Sequence, residues 1–552
     1  MNTNATVELA DWRRARRYAV PRWMIERATE RRLAGDWRGA CAAALVDVGF
    51  DLDDIAREHG AKVAESLEDD LLHLAPDLLR WHLPRHGDGR CTFQPRKSFL
   101  LAGYGKNLCL YVETPTLVDG PQRLRLGFGE RPVPSEYGYP PRAEDYTMLR
   151  HIWDVRRADE LLERSGGDDR APFFRPDGTP LPADEVGGQG TAGFAERLTL
   201  MQEQGQIDAA FHEAGMDLEY RTSRETRRQA REHLASLPLA LYRFTAEILL
   251  HAHAGIEGGG PYQLPLGHRF RLIVTPRKRP RVRITEPSYR WEPTLPSAAF
   301  RRLPDLDLLR AGLITPEELH PLVRSALFPA RPAPDGPVGP PDPDPPRPVR
   351  VRCRGEWHEV RMAGGRLQMP HSEEEQDREA ALVALGGATA GCFTVTRAWA
   401  GEAGRLPRRL RDLRKELFQR IQHGDTPGVV ALLDAGVDPH VRDGRKHTLL
   451  HLLHMVDHRE LLPRLLEAGL DLEARNQYNR TPLHMAVGEY GSPDLVRALV
   501  DAGARLDVVD DLEFSLPDLI TRCGRTDLDW LDKRLESEYP DLGGRWLDEE
   551  EW

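Results

Sequence analysis

Three groups of residues in this 552-residue chain have types and spacings that could do chemistry. Gly188-Gln189-Gly190-Thr191-Ala192-Gly193 spells GxGxxG, the glycine turn through which backbone amides approach a pyrophosphate. Such a turn needs a strand before it and an acid about 20 residues later, at the end of a second strand. Here RPDGTPLPADEV precedes it as a loop and Phe194 to Phe211 follows as helix, so the segment is expected to be a connector. His251-Ala252-His253 has the i, i+2 spacing usable by a metal on a strand, with His268 and Glu257 as further donors. It ends a helical run, where the helix dipole favours histidine for structural reasons. Cys41, Cys91, Cys109, Cys353, Cys392 and Cys523 lie far apart with no CxxC pair. That argues against a disulfide framework and against a cysteine zinc site. No GxSxG elbow, GxxxxGK[ST] loop or HExxH helix occurs, so no catalytic residue, cofactor or metal ligand is assigned.

Basic residues offer a different chemistry. Arg13-Arg14-Ala15-Arg16-Arg17 and the segment from Pro276 to Arg283 are cationic clusters, and strand faces carry Arg123, Arg125, Arg281, Arg283, Arg350 and Arg352. With Trp12 or Tyr289 stacking, such a face could bind nucleic acid. The balance of 76 basic against 87 acidic side chains, net −11 with a pI near 6.0, opposes that reading, because phosphate binding rests on positive charge.

These residues sit on elements that the rest of the composition limits. The chain is 40% hydrophobic and 30% charged with a mean hydropathy of −0.53, which suits a soluble globular protein. Its length implies roughly three to five structural units. The opening MNTNATVELADWRRARRYAV is broken by Glu8, Asp11 and four arginines, so no secretory signal is expected. No run approaches the ~18 apolar residues needed to span a bilayer. Leu237 to Leu250, broken by Pro238, Arg243 and Glu247, fits a buried helix. The expected compartment is the cytoplasm, without membrane contact.

Along the chain, 11–83 reads as helical, with Met24, Ile25 and Ala28 on one face and Leu67, Leu71 and Leu74 on another. Leu108, Leu110 and Val112 alternate with polar neighbours, as do Leu124, Leu126 and Phe128, giving two half-buried strands around an Asp119-Gly120 turn. Helical patterns return over 146–164 and 194–254, and strands over Phe270 to Val274 and Val282 to Ile284. Thr315-Pro316 splits a short helical pair over 303–328. Residues 329–348 are so rich in proline that an extended, semi-rigid spacer is expected. Residues 349–400 read as strand, strand, helix and strand, with Ser372 to Glu375 as a capping box and an alternating run from Phe393 to Trp399 as the last strand.

From about 406 the chain repeats itself. Three lines end in an Ala-Gly step at Gly436, Gly469 and Gly503, spaced by 33 and 34 residues. Between them stand Thr448-Leu-Leu-His451, then Thr481-Pro-Leu-His484, then the degenerate Ser515-Leu-Pro-Asp518. A threonine can cap a helix and a proline can occupy its first position without wasting a donor. The glycines suit the left-handed residue that ends a second helix. Leu432, Leu465 and Leu499 are expected to fill the core between repeats.

This pattern resembles the ankyrin repeat over roughly 406–538, and Thr481-Pro482-Leu483-His484 matches the family motif at all four places. The resemblance implies that His451 and His484 are structural. The helix of Leu413, Leu417 and Ile421 then looks like an N-terminal cap, and Asp511 to about Leu535 like a terminal cap, with Glu513 where the family prefers glycine. It also implies binding of another protein through the hairpin tips and the concave helix face. The tip residues singled out for partner binding are Arg442, Arg445, Lys446, Arg475, Gln477, Tyr478 and Arg480, with Tyr478 and its neighbouring arginines the expected hot spots. The tip from Asp507 to Glu513 is acidic, so charge of opposite sign at the two ends could orient a partner.

The expected architecture is multi-domain. It comprises a mixed α+β region over 11–328, a Pro-rich linker over 329–348, a small α+β unit over 349–400, an all-α ankyrin solenoid over 406–538, and an acidic tail over 539–552. The expected function is a cytoplasmic adaptor or scaffold, non-enzymatic as far as the array goes. The alternative is an enzyme with an unrecognised catalytic domain in 1–328 whose array recruits substrate. A weaker one is a nucleic-acid-linked regulator.

Overall fold

The alternating run from Leu108 to Glu113 lies at the centre of a five-stranded sheet. The architecture comes from a computed structural model that describes residues 3–543 apart from 88, 106, 133–142, 222–223, 254–260, 268, 287–292 and 386–389. The chain divides into two units, one of Met1–Pro115 with Arg123–Pro341, the other of Thr116–Gln122 with Asp342–Trp552.

In the first unit, β1 (Val46–Val48), β2 (Ser98–Gly103), β3 (Leu108–Glu113), β4 (Leu124–Glu130) and β5 (Glu144–Asp145) pair in the order β1-β4-β3-β2-β5. Register sets Val112 opposite Leu126 and Leu110 opposite Phe128, so the apolar side chains of both strands share one face. That face packs against helical Met24, Leu67, Leu71 and Leu78 in one core. Within this unit Arg16 makes a two-pronged bond to Asp305, at 2.9 and 2.6 Å, and Trp81 donates its indole N–H to the same carboxylate. A second core in this unit is built on β6 (Asp217–Tyr220), β7 (Tyr262–Leu266), β8 (Phe270–Thr275) and β9 (Arg281–Thr285), ordered β6-β9-β8-β7, with Phe211, Phe244 and Phe300. β6 interrupts the stretch that periodicity assigns wholly to helix. It is four residues of parallel pairing to β9, too short to show a period of its own. The first part of the Pro-rich segment is fastened rather than free, because Arg331 bonds Glu317 and Gly339 N donates to Glu317 O at 2.8 Å.

In the second unit β10 (Val349–Cys353), β11 (Glu356–Ala363) and β12 (Arg366–Gln368) form an antiparallel sheet. Helices Glu373–Ala384 and Cys392–Trp399 follow, and the Ser372 capping box opens the first of them. The strand expected over Phe393 to Trp399 is therefore a helix. Cys392, Val395 and Trp399 are its buried side, a 3.6-residue period that the alternation of Phe393, Val395, Arg397 and Trp399 mimics over so short a run. One apolar core runs from Val349 through Trp399 to Leu535, so this segment and the repeats bury each other.

Over 408–538 the helices follow one another in four pairs: Arg408–Gln422 with Thr426–Asp434, Leu449–Met455 with His458–Glu467, Pro482–Gly488 with Pro493–Asp501, and Leu516–Arg522 with Asp529–Glu538. Leu432, Leu465 and Leu499 are buried between them, and Gly436, Gly469 and Gly503 have φ of +88°, +85° and +98°. The first helix of the second pair is 3-10, where Leu449 replaces the proline of Thr481-Pro482. No helix among the described residues is long and apolar enough to cross a membrane.

Candidate functional site

Each hairpin tip between helix pairs is built by one side chain. The Asp443 carboxylate accepts from the amides of Arg445 and His447, both at 2.8 Å. Asn476 accepts from Tyr478 and Arg480, at 2.8 and 3.0 Å. Asp510 accepts from Leu512 and Phe514, both at 2.9 Å. Such Asx turns hold the chain in a tight reversal. The reversal places Lys446, Asn479 and Glu513 in the left-handed region, at φ of 60°, 59° and 61°. From sequence, the segment Asp507 to Glu513 reads only as an acidic tip, and nothing singles out Asp443 or Asn476. Their framing role shows only once side-chain oxygens are seen against backbone amides two and four residues on.

Adjacent tips are joined. Gln477 N donates to Arg445 O at 2.9 Å, and Asp511 N donates to Tyr478 O at 3.0 Å. Arg442 donates to Arg475 O at 2.9 Å, while Arg475 donates to Asn479 O at 2.8 Å and reaches Val509 O at 3.5 Å. Arg480 pairs with Asp510 at 2.8 Å. Arg445 is exposed and lies 3.3 Å from Asp119, within the same unit. Of the seven predicted partner-binding residues, Arg442, Arg475 and Arg480 thus spend their guanidinium groups on the tips themselves, and Arg445, Lys446, Gln477 and Tyr478 face outward.

Beneath the tips, the Thr448 hydroxyl lies 2.8 Å from His451 Nδ1, and Thr448 N donates to that nitrogen at 3.1 Å. His451 Nε2–H is then the donor to Arg480 O at 3.0 Å. Thr481 and His484 repeat the contact at 2.8 Å. Burial, above all, pushes His451 down to about 3 and His484 down to about 4, so both are neutral. These histidines are pieces of the turn.

The outward face combines apolar and cationic elements. Tyr478, Val509 and Leu512 are exposed at 52%, 41% and 60%, on tips that the Asp511–Tyr478 backbone bond holds together. Beside the first tip, an open cavity of about 280 Å³ is lined by Arg405, Arg411, Arg414 and Lys446 with Glu402 and Asp443.

The other candidate sites are committed elsewhere. In the GxGxxG segment, Thr191 N donates to Asp168 at 2.9 Å and Gly187 N to buried Glu196 at 2.6 Å, so loop amides point at carboxylates of the chain itself. His251 is buried against Phe300, and the His253 side chain, Glu257 and His268 lie outside the described residues. Arg279 and Arg281 pair with Asp217 and Glu219, Arg123 pairs with Asp47, and Arg16 is buried on Asp305. Tyr289 and the end of the acidic tail lie outside the described residues. The absence of CxxC pairs did not prevent cysteines from meeting histidines: Cys353, His358, His371 and Cys392 gather with their donor atoms within 4.8 Å of one another.

A family model for ankyrin repeats, in three copies, matches residues 417–510, and the N-terminal region has no family match. Over 113 residues the chain is 34% identical to the E3 ubiquitin-protein ligase KEG of Arabidopsis thaliana. That stretch is 20% of this chain and 7% of the relative, so the chain spans only a small part of that protein's length. Residues 417–510 are ankyrin repeats, a fold that generally binds other proteins.

Proposed function

We propose that this chain is an adaptor that works in a reducing compartment, the cytoplasm, and docks a partner protein on the hairpin tips and concave face of an ankyrin solenoid. The observation that carries the reading is the exposed strip of Tyr478, Val509 and Leu512, set on a polar surface and braced by bonds between tips. An aromatic side chain held on a rigid turn is the kind of group that dominates a binding interface. The cationic cavity beside Lys446 supplies the complementary element. A partner segment that places a carboxylate near Arg411, Arg414 and Lys446 and an apolar side chain against Tyr478 satisfies both. The three arginines engaged within the tips stiffen the surface, which lowers the entropy lost on docking.

Affinity capture with the full chain as bait, beside a bait carrying Tyr478→Ala and Lys446→Ala, tests this. A specific partner should be recovered with the wild type and about tenfold less with the double variant. Partners retained undiminished by the double variant would place docking elsewhere.

A further inference from the structure

Four side chains that are scattered in sequence meet at one point in the second unit. The turn Arg354-Gly355, with φ of +52° and +96°, reverses β10 into β11. Register then sets Val351 opposite His358 and Cys353 opposite Glu356, so Cys353 and His358 share one face of the hairpin. His371 follows β12, just before the Ser372 cap, and Cys392 is the first residue of the helix Cys392–Trp399. Cys353 Sγ lies 3.6 Å from His371 Nε2, the two ring nitrogens His358 Nδ1 and His371 Nε2 lie 3.1 Å apart, and Cys392 Sγ lies 3.6 Å from His358 Nδ1.

We propose that Cys353, His358, His371 and Cys392 are the four ligands of a structural zinc ion. With bonds of about 2.3 Å to sulfur and about 2.0 Å to nitrogen, tetrahedral geometry sets neighbouring donors about 3.3–3.8 Å apart. The Cys353–His371, His358–His371 and His358–Cys392 edges lie within a few tenths of an ångström of that, and all four donor atoms lie within 4.8 Å of one another. Both cysteines are buried. Two thiols and two imidazoles gain little from burial as such, and one cation held by all four repays their desolvation. The donor set has sulfur and imidazole and no carboxylate, which selects zinc over calcium or magnesium. Four protein donors leave no open position, so the site is structural rather than catalytic.

The surroundings fit the same reading. Glu375 Oε2 lies 3.4 Å from His371 Nδ1, and Glu356 Oε2 lies 3.8 Å from His358 Nε2. A carboxylate facing the far nitrogen of a histidine orients the ring and raises its basicity toward a metal. Glu375 is itself held by Ser372 N, at 3.1 Å. Phe393 packs on the His371 ring with centroids 4.7 Å apart. Gly391, at φ +60°, admits the approach: a Cβ there would stand 2.5 Å from Cys353 Sγ and 2.7 Å from Cys353 Cα. The ion would tie the sheet β10–β12 to the helix that carries Trp399, whose indole donates to Asp438 O at 3.2 Å ahead of the first tip.

The test is metal content of the purified full chain, expressed with zinc and dialysed against metal-free buffer. About one zinc per chain is expected from four donors in one site. Cys523→Ser should keep it, while Cys353→Ser and His371→Ala should each lose it. Because those variants could unfold the segment, the wild-type chain is also loaded with cobalt. A sulfur-to-cobalt charge-transfer band with intense d–d bands is expected for a tetrahedral two-sulfur, two-nitrogen site. A folded wild-type chain without stoichiometric zinc, a cobalt spectrum without those bands, or an intact mass reporting a Cys353–Cys392 disulfide would each overturn the proposal.

Discussion

The guanidinium of Arg442 donates to the carbonyl oxygen of Arg475, one repeat further along, at 2.9 Å. Arg475 sits in the equivalent place and reaches Val509 O at 3.5 Å. The arginine at this position is therefore a tie between tips. Arg442→Ala should cost about 1 kcal/mol, a charge-assisted bond lost with its carbonyl left partly exposed. Tyr478→Ala, at an exposed ring, should stay within about 0.5 kcal/mol. Thermal melts, with hydrogen exchange to place the loss at 475–480, check both. An Arg442→Ala chain as stable as the wild type would deny the tie.

Glu513 holds φ +61°, a conformation that costs a side chain with a Cβ more than it costs glycine. Its counterparts are Lys446 and Asn479, and asparagine tolerates that region best of the three. Glu513→Gly should raise stability by about 0.5–1 kcal/mol, less the extra freedom glycine has when unfolded. A rise in melting temperature checks it. A fall would mean that Glu513 contributes contacts worth more than the relieved strain.

The repeats were legible because two markers recur together: the glycines at 436, 469 and 503, and the lines opening at Thr448 and Thr481. Each marker reports a local backbone requirement, a left-handed C′ residue or a helix cap, and local requirements show in sequence. The helix from Cys392 to Trp399 was not legible, because eight residues carry too few turns to separate its period from alternation. β6 was hidden for the same reason, since its partner β9 lies some sixty residues away. The gathering of Cys353, His358, His371 and Cys392 depends on strand register and on Gly391, neither of which spacing encodes. Among the tip residues, sequence showed that Arg442 and Tyr478 are both on the surface. Only the carbonyl facing Arg442 distinguishes a brace from a contact.

In the first unit, Arg16 and Asp305 are an almost fully buried pair, closed by Trp81 donating to the same carboxylate at 3.0 Å. Removing Asp305 leaves the Arg16 charge buried without a carboxylate, with the Trp81 carbonyl at 2.6 Å and the Trp12 and Trp81 rings as its remaining partners. Asp305→Ala should therefore cost about 3–5 kcal/mol, whereas breaking an exposed, solvent-screened pair such as Arg228–Glu225 should leave the denaturation midpoint close to that of the wild type. Chemical denaturation read by fluorescence of the buried Trp81 and Trp153, with exchange to confirm that the first unit is affected, distinguishes the two. Equal effects would show that the buried pair is compensated from elsewhere.

Acid should loosen the repeats before it loosens a protein without their histidines. Burial, foremost, pushes His451 down to about 3, and His454 and His484 down to about 4. An unfolded histidine titrates near 6.5. Above that value both states are neutral and the full stability is present. As pH falls below it, the unfolded chain takes protons that the folded repeats refuse, and stability is lost progressively down to the folded values. Each histidine can contribute at most about 1.4 kcal/mol per pH unit. Glu489 acts in the opposite sense. Burial first, and Asp119 second, push it up to about 7, so its contribution is present at low pH and is lost as pH rises through that value. Burial also pushes His458 down, in the same sense as the other three histidines. Between about pH 7 and about pH 5, these four histidines therefore lose stability while Glu489 gains, and the melting temperature of the second unit should fall. Glu489→Gln removes the compensating group and should steepen the fall, while His484→Gln should flatten it. Calorimetric scans of the full chain across that range decide the matter. A level midpoint in the wild type would mean that these histidines accept protons within the fold, and that the turn beneath each tip does not require a neutral ring.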